Sequence, residues 1–303
     1  MKAVVWHGKR DVRVDEVADP VIEAPTDAIV RVTSSGLCGS DLHLYEVLAP
    51  FMTEGDVLGH EPMGIVEAVG ADVGHIVPGD RVVVPFNIAC GSCAMCAHGL
   101  QSQCETTQVR AHGKGAALFG YTKLYGQVPG GQAEYLRVPQ AQYGPIKVPE
   151  GPADQRFLYL SDVLPTAWQA VEYAAIPPGG SVVVLGLGPI GAMACRVAAH
   201  RGAGLVIGVD LVAERLERAE RLGARTVDLN RFDGNGDAAA ALVDLTSGGA
   251  DAVIDAVGME AHGSPVAKLA HTITGMLPDR AAEKLMDRVG VDRLAALHLA
   301  IDV

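Results

Sequence analysis

Short apolar runs rich in Val, Ile and Tyr, broken by Gly, Pro and Asp, follow one another up to about Pro149. Runs of that length between turn residues predict a β-rich domain with no long helix. After Pro152 the pattern changes. Residues 157–174 suit a helix, and beyond them strand-like and helix-like stretches alternate, the pattern of a parallel sheet with crossover helices. Strands are expected at Ser181–Leu185, Leu205–Asp210, 226–229 and 251–257. The clearest helix between them is 213–222, where Leu216 and Ala219 share a face, Glu214, Arg215, Glu217 and Arg218 lie elsewhere, and Gly223 marks the end. A last helix is expected at 293–301, and the small-residue stretch 233–241 reads as a link from strand to helix. The change of pattern divides the chain into an expected β-rich domain, 1–153, and an α/β domain, 154–303.

Composition narrows the function classes. At 303 residues and 49% hydrophobic, the chain can bury a core in each domain. A formal net charge of −12, with no local basic cluster, argues against nucleic acid and anionic membranes as partners. The most apolar window, 182–199, contains Gly186, Gly188, Pro189, Gly191 and Arg196, so it reads as strand, turn and helix instead of a membrane span. The N-terminus enters a strand-like stretch at Lys2 without the succession of a secretory signal, and a cytoplasmic location is expected.

In a reducing compartment, clustered cysteines read as metal ligands. Four of the six cysteines, Cys90, Cys93, Cys96 and Cys104, follow the spacing C-x2-C-x2-C-x7-C. Four thiolates so spaced converge tetrahedrally on one structural Zn²⁺. A ferredoxin-type iron–sulfur run has three residues before its last Cys and a Pro after it; here seven intervene and Glu105 follows. Of the remaining two, Cys195 reads as a small core residue.

A second cluster of chemistry lies in Gly36-Leu37-Cys38-Gly39-Ser40-Asp41-Leu42-His43, which brings thiol, hydroxyl, carboxylate and imidazole within six residues. Ser40 also suits a helix N-cap, and Asp41 a first-turn acid. Downstream, Val182–Leu185 leads into Gly186-Leu187-Gly188-Pro189-Ile190-Gly191 and a helix-compatible stretch, the context a dinucleotide fingerprint requires. Asp210 closes the next strand 24 residues after Gly186. A carboxylate there accepts from both ribose hydroxyls and repels a 2′-phosphate, so NAD is expected over NADP.

GHEPMGIVEAVGADV at 59–73, followed by Pro78-Gly79-Asp80-Arg81-Val82, resembles the zinc signature of the medium-chain zinc-dependent alcohol dehydrogenases. The four-cysteine lobe is similar in position and spacing to that family's structural zinc site. The resemblance implies a GroES-like catalytic domain followed by a Rossmann coenzyme domain, with two Zn²⁺ per chain and NAD. It further implies that Cys38 and His60 ligate a catalytic zinc with Glu61 beside it. The matching motif Leu160-Ser161-Asp162-Val163-Leu164-Pro165-Thr166 supplies Asp162 as third ligand where many members have Cys, as in the branch resembling formaldehyde dehydrogenases. By the same resemblance Ser40 and His43 form a proton relay, Asp41 holds the far nitrogen of His60, and Thr166 contacts the nicotinamide. The implied reaction is reversible oxidation of a primary alcohol or aldehyde hydrate, with homo-oligomers as in full-length relatives. Family members continue further, with two more strands and a return segment, so the resemblance implies a chain cut short, its strand at 251–257 left as an uncovered edge without its expected neighbours and its cofactor binding impaired. Two rival readings use the same residues: a zinc- and nucleotide-binding chain without turnover, and an electron-transfer protein built on the four thiols, which predicts iron.

Overall fold

The computed structural model describes residues 1–257 and 295–303. The chain forms two compact units, Met1–Asp162 and Val163–Val303. In unit one, β1 (Lys2–Gly8) and β2 (Asp11–Glu16) make an antiparallel ribbon. After β3 (Ala28–Ser35) come the short helix α1 (Gly39–Tyr45), β4 (Pro62–Val69), β5 (Arg81–Val83), the one-turn helix α2 (Ala94–Ala97), β6 (Tyr135–Val138) and β7 (Ile146–Lys147). Strands β3 to β7 form an antiparallel sheet in the order β6-β3-β4-β5-β7. Ala28, Val30, Val66, Val82, Leu136 and Val138 alternate onto one core face, joined by Phe119. Each strand is too short to stand alone, and the shared apolar face holds them in register.

Unit two contains α3 (Val163–Ala174), β8 (Ser181–Leu185), α4 (Pro189–His200), β9 (Leu205–Asp210), α5 (Ala213–Arg221), β10 (Arg225–Asp228), α6 (Asn235–Leu245), β11 (Ala252–Asp255) and α7 (Ala295–Asp302). Its described strands are all parallel, in the order β10-β9-β8-β11. Alternate residues of β8 serve opposite faces: Val182 and Val184 pack with Ala167, Val171, Ala194 and Leu216 of the helices on one side. Val183 and Leu185 pack with Ala238, Leu242 and Leu299 on the other. A parallel sheet covered on both faces accounts for the continuous apolar runs in its strands. The chain winds outward from β8 through β9 to β10, then returns to the other side of β8 with β11. The C-terminal end of β8 is therefore the topological switch point where such sheets bind ligands.

Two expected elements are corrected. The helix expected at 157–174 begins only at Val163, preceded by 3-10 turns at Asp154–Arg156 and Leu158–Leu160. Pro165 is the cause: further inside a helix its ring would meet the carbonyl of Ser161, whereas in the first turn its missing N–H costs no bond. That carbonyl accepts from Phe86 N instead, at 2.9 Å. The stretch 233–241, expected as a link, runs mostly within α6. Ala is the best helix former, and Ala238, Ala239 and Leu242 bury against the sheet. The helix expected at 293–301 is seen from Ala295 to Asp302, its first two residues lying outside the described ones. No helix among the described residues is long and apolar enough to cross a membrane.

Candidate metal centre

The thiols of Cys90, Cys93, Cys96 and Cys104 lie within 4.8 Å of one another, and none is in a disulfide. Cys93 caps α2, and its Sγ is 3.9 Å from that of Cys104. A zinc ion with Zn–S bonds of about 2.3 Å needs thiolates about 3.8 Å apart, so this pair has the required edge. Cys90 Sγ accepts from the N–H groups of Ser92 (3.4 Å) and Cys93 (3.3 Å) and from Thr106 Oγ1 (3.1 Å). Burial opposes ionisation of Cys90, but these donors outweigh it and bring the thiol down to about 5. Burial, joined by the Cys93 and Cys104 thiols, pushes Cys96 up to about 12. The lobe thus favours negative charge and crowds it, which is the demand a bound cation meets.

The second centre draws on separate segments of unit one. Cys38 precedes α1, His60 and Glu61 precede β4, and Asp162 ends the unit. One ligand atom from each of these four lies within 4.8 Å of all the others. His60 Nε2 is 3.2 Å from Ser40 Oγ and 3.5 Å from Asp162 Oδ2. Its Nδ1 is turned away, 3.2 Å from Asp41 Oδ1. Neither of these two buried atoms has a hydrogen-bond partner, so the contact between them is an ion pair. Asp41 Oδ2 accepts from Cys38 N at 2.9 Å. The N-cap of α1 is accordingly Cys38, not Ser40, with Asp41 as its third helical residue. His43 is in the last turn of α1, half-buried, and outside the four-residue cluster. Thr166 lies in the first turn of α3, in unit two.

Charge in this centre is unbalanced. Burial alone would lower the basicity of His60, yet Asp162, Asp41 and Cys38 together raise it to about 12. Burial and the neighbouring Asp162 raise Glu61, whose Oε1 has no hydrogen-bond partner. One sulfur, one imidazole nitrogen and carboxylate oxygens are the zinc donor set, and a divalent cation satisfies the positive charge these anions ask of His60. The residues therefore fit the metal.

The fingerprint of unit two sits at the end of β8. Gly188 caps α4 and Pro189 takes its first position. A Cβ on Gly191 would lie 1.8 Å from the Gly186 carbonyl oxygen, so only glycine lets α4 approach the strand, while nothing lies within 4 Å of a Cβ on Gly188. Ile190 packs on the helical side of the sheet. Asp210 ends β9, buried; its Oδ2 accepts from Leu187 N (2.6 Å), and Oδ1 from the N–H groups of Leu211 (2.7 Å) and Val212 (2.9 Å). Arg215 Nη1 also lies 3.6 Å from Oδ2. A carboxylate has about four acceptor sites, so the three N–H bonds leave capacity for one hydroxyl beside that cation.

Comparison with known proteins places this geometry. Residues 24–150 match the alcohol dehydrogenase GroES-like domain, and residues 189–272 the zinc-binding dehydrogenase domain. A zinc-type alcohol dehydrogenase-like protein of Bacillus subtilis is 45% identical over 86% of this chain and 68% of its own length. The chain belongs to the medium-chain zinc-dependent alcohol dehydrogenases. Within that family, a glutathione-independent formaldehyde dehydrogenase of Pseudomonas aeruginosa is 35% identical over 97% of this chain and 73% of its own. An alcohol dehydrogenase from Thermus sp. ATN1 superposes with a TM-score of 0.75 at 37% identity, covering 90% of this chain and 73% of that one. A zinc-binding dehydrogenase of Sinorhizobium meliloti bound to NADP gives 0.68 at 30% identity, covering 91% and 73%. The chain spans between 62% and 68% of the length of three curated zinc-type relatives. The two units are the GroES-like and Rossmann-type domains of the family.

Sequence reasoning missed the part that three residues play around this second centre. Tyr121 sets its ring edge-on to His60, centroids 6.1 Å apart, and burial pushes its hydroxyl up to about 12. Gln132 donates to Asp41, and Gly36 leaves the space that Glu61 fills. Tyr121 and Gln132 reach the site through tertiary contacts that no local spacing announces; Gly36 opens the motif that carries Cys38, but its contact with Glu61 is tertiary.

Proposed function

We propose that the chain is an oxidoreductase passing hydride between a small primary alcohol or aldehyde hydrate and NAD, with a catalytic and a structural zinc. The convergence of Cys38, His60 and Asp162 on one point carries this reading. When bound there, zinc supplies Lewis acidity that lowers the pKa of an alcohol hydroxyl, and NAD bound in unit two supplies the hydride acceptor. Every other task falls to the chain. Asp41, against Nδ1, fixes the ring of His60 so that Nε2 serves the metal side. Ser40 Oγ, on that same side, would accept the substrate proton while releasing its own hydroxyl proton, which His43 farther along α1 would carry outward. Glu61, buried with Oε1 short of donors, adds a further carboxylate beside the three ligands. Asp162 in place of a thiolate makes the donor set harder, and the likeness to a formaldehyde dehydrogenase supports a small aldehyde hydrate as one substrate. One relative binds NADP, and Arg215 stands 3.6 Å from Asp210, but an acid closing β9 is the ribose-binding feature of NAD enzymes and supports NAD here.

The test is Asp162→Ala in the full chain. Wild type is expected to carry two zinc ions and to reduce NAD with short alcohols or formaldehyde; the variant should keep one zinc and lose at least about a hundredfold in rate. Wild type that holds two zinc ions yet reduces no NAD with any of these substrates overturns the proposal, as does a variant with unchanged turnover.

A further inference from the structure

We infer that Gln132 is a positioning residue of the second metal centre, acting through Asp41 on the ligands Cys38 and His60. The inference rests on the metal-centre reading above. Gln132 Nε2 lies 3.3 Å from Asp41 Oδ2 and 3.3 Å from the carbonyl oxygen of Gly36. Both partners are acceptors, so the amide must present its NH₂ to them, and its orientation is set by chemistry. The backbone of the residue is equally fixed: Gln132 N donates to Leu58 O (2.9 Å), Val4 N donates to Gln132 O (2.8 Å), and Gly131 N donates to Gly59 O (2.7 Å). The amide is thereby anchored beside the strand of chain that leads into His60.

What the amide holds is the orientation of Asp41. Its Oδ2 receives two donors, Cys38 N and Gln132 Nε2, and this leaves Oδ1 aimed at His60 Nδ1. With only the Cys38 N–H, the carboxylate could turn about its own axis and exchange oxygens; the second donor opposes that. The same amide grips Gly36, where a Cβ would overlap Glu61 Oε2 at 1.9 Å. One side chain thus steadies the surroundings of three of the four clustered groups while touching none of their ligand atoms.

The experiment uses the full chain with Co²⁺ exchanged into both sites, because the d–d bands of a four-thiolate site and of a mixed sulfur, nitrogen and oxygen site differ. Gln132→Met keeps length and loses the donor; Gln132→Leu keeps most of the bulk and loses the donor. In competition with a chelator, both variants should lose the mixed-donor Co²⁺ with a 10- to 100-fold weaker affinity and a shifted band, the range seen for partners behind metal ligands. The four-thiolate bands stay as in wild type and report that the fold is intact. Wild-type affinity and spectrum at the mixed-donor site in both variants would overturn the role of Gln132 alone. A wild type that takes up only the four-thiolate Co²⁺ would overturn the metal-centre reading, and this inference with it.

Discussion

Two glycines near the proposed sites look alike in sequence and differ in what surrounds them. A Cβ at Gly191 would lie 1.8 Å from the main-chain oxygen of Gly186, and neither helix α4 nor the end of β8 can retreat without losing packing on both sides. A Cβ at Gly36 would lie 1.9 Å from Glu61 Oε2, the far end of a side chain, though also 2.9 Å from Glu61 Cβ. Backbone resists displacement more than a carboxylate tip does, so the two substitutions should separate. Gly191→Ala is expected to cost about 3 kcal/mol or more, at the upper end of overpacking effects, and to abolish quenching of protein fluorescence by NADH. Gly36→Ala should cost about 1 to 2 kcal/mol while displacing Glu61 from the centre. Denaturant titrations of both variants read the difference, and equal losses would contradict the ranking.

At the scale of elements, the segment that delivers Asp162 is strapped to the sheet. Arg81 pairs with Asp154, Nε at 3.1 Å, and its Nη1 donates to Pro149 O (3.1 Å) and Pro152 O (2.7 Å). Its guanidinium lies over Phe157, and Thr33 and Ser34 of β3 donate to the other Asp154 oxygen at 2.6 and 2.9 Å. Burial opposes ionisation of Asp154, but Thr33, Arg81 and Ser34 outweigh it and hold the carboxyl below its ordinary value. A depressed carboxyl stabilises the fold fully above its unfolded pKa of about 4 and loses that contribution as pH falls through the lower folded value. Asp154→Asn should therefore cost about 2 to 4 kcal/mol at neutral pH, with the gap to wild type narrowing below pH about 4, as melting curves across pH would show. A gap constant down to pH 2 would refute the linkage. This strap is also why the pattern at 157–174 misled. The apolar residues there are helix-compatible, but Leu158 and Leu160 pack against Met63, Val83 and Val148 in a form set by Arg81, a residue far away in sequence. The stretch 233–241 misled for the opposite reason: small residues were read as slack, when Ala238 and Ala239 fit a helix closely to the sheet.

For the whole molecule, what was legible follows from sequence distance. Four cysteines in one loop, a fingerprint with its strand, and an acid closing the next strand are local patterns, each readable because neighbouring residues must cooperate. The second centre gathers Cys38, His60 and Asp162 from distant segments and became readable only through family likeness; Gln132 and Tyr121 stayed hidden because only the folded sheet brings them in. The two centres also differ in their donors and bonding, and this separates them experimentally. The four thiols pack with Ala89 and Ala116, Cys104 is fully buried, and Cys90 is wrapped in N–H and O–H donors. The second centre offers a single thiol, with one imidazole and carboxylates as its other donors, and so binds zinc less firmly than four thiolates. A mild chelator near neutral pH should therefore first remove one zinc, abolishing NAD reduction while the melting curve moves little. The remaining zinc should leave only with a stronger chelator or acid, because its thiolates must be reprotonated, and its loss should lower the melting temperature by more than about 5 °C by freeing the lobe. Zinc content, turnover and melting followed on the same samples decide the matter. If activity and melting temperature fall together from the first zinc onward, the two centres are not the separate structural and catalytic sites proposed.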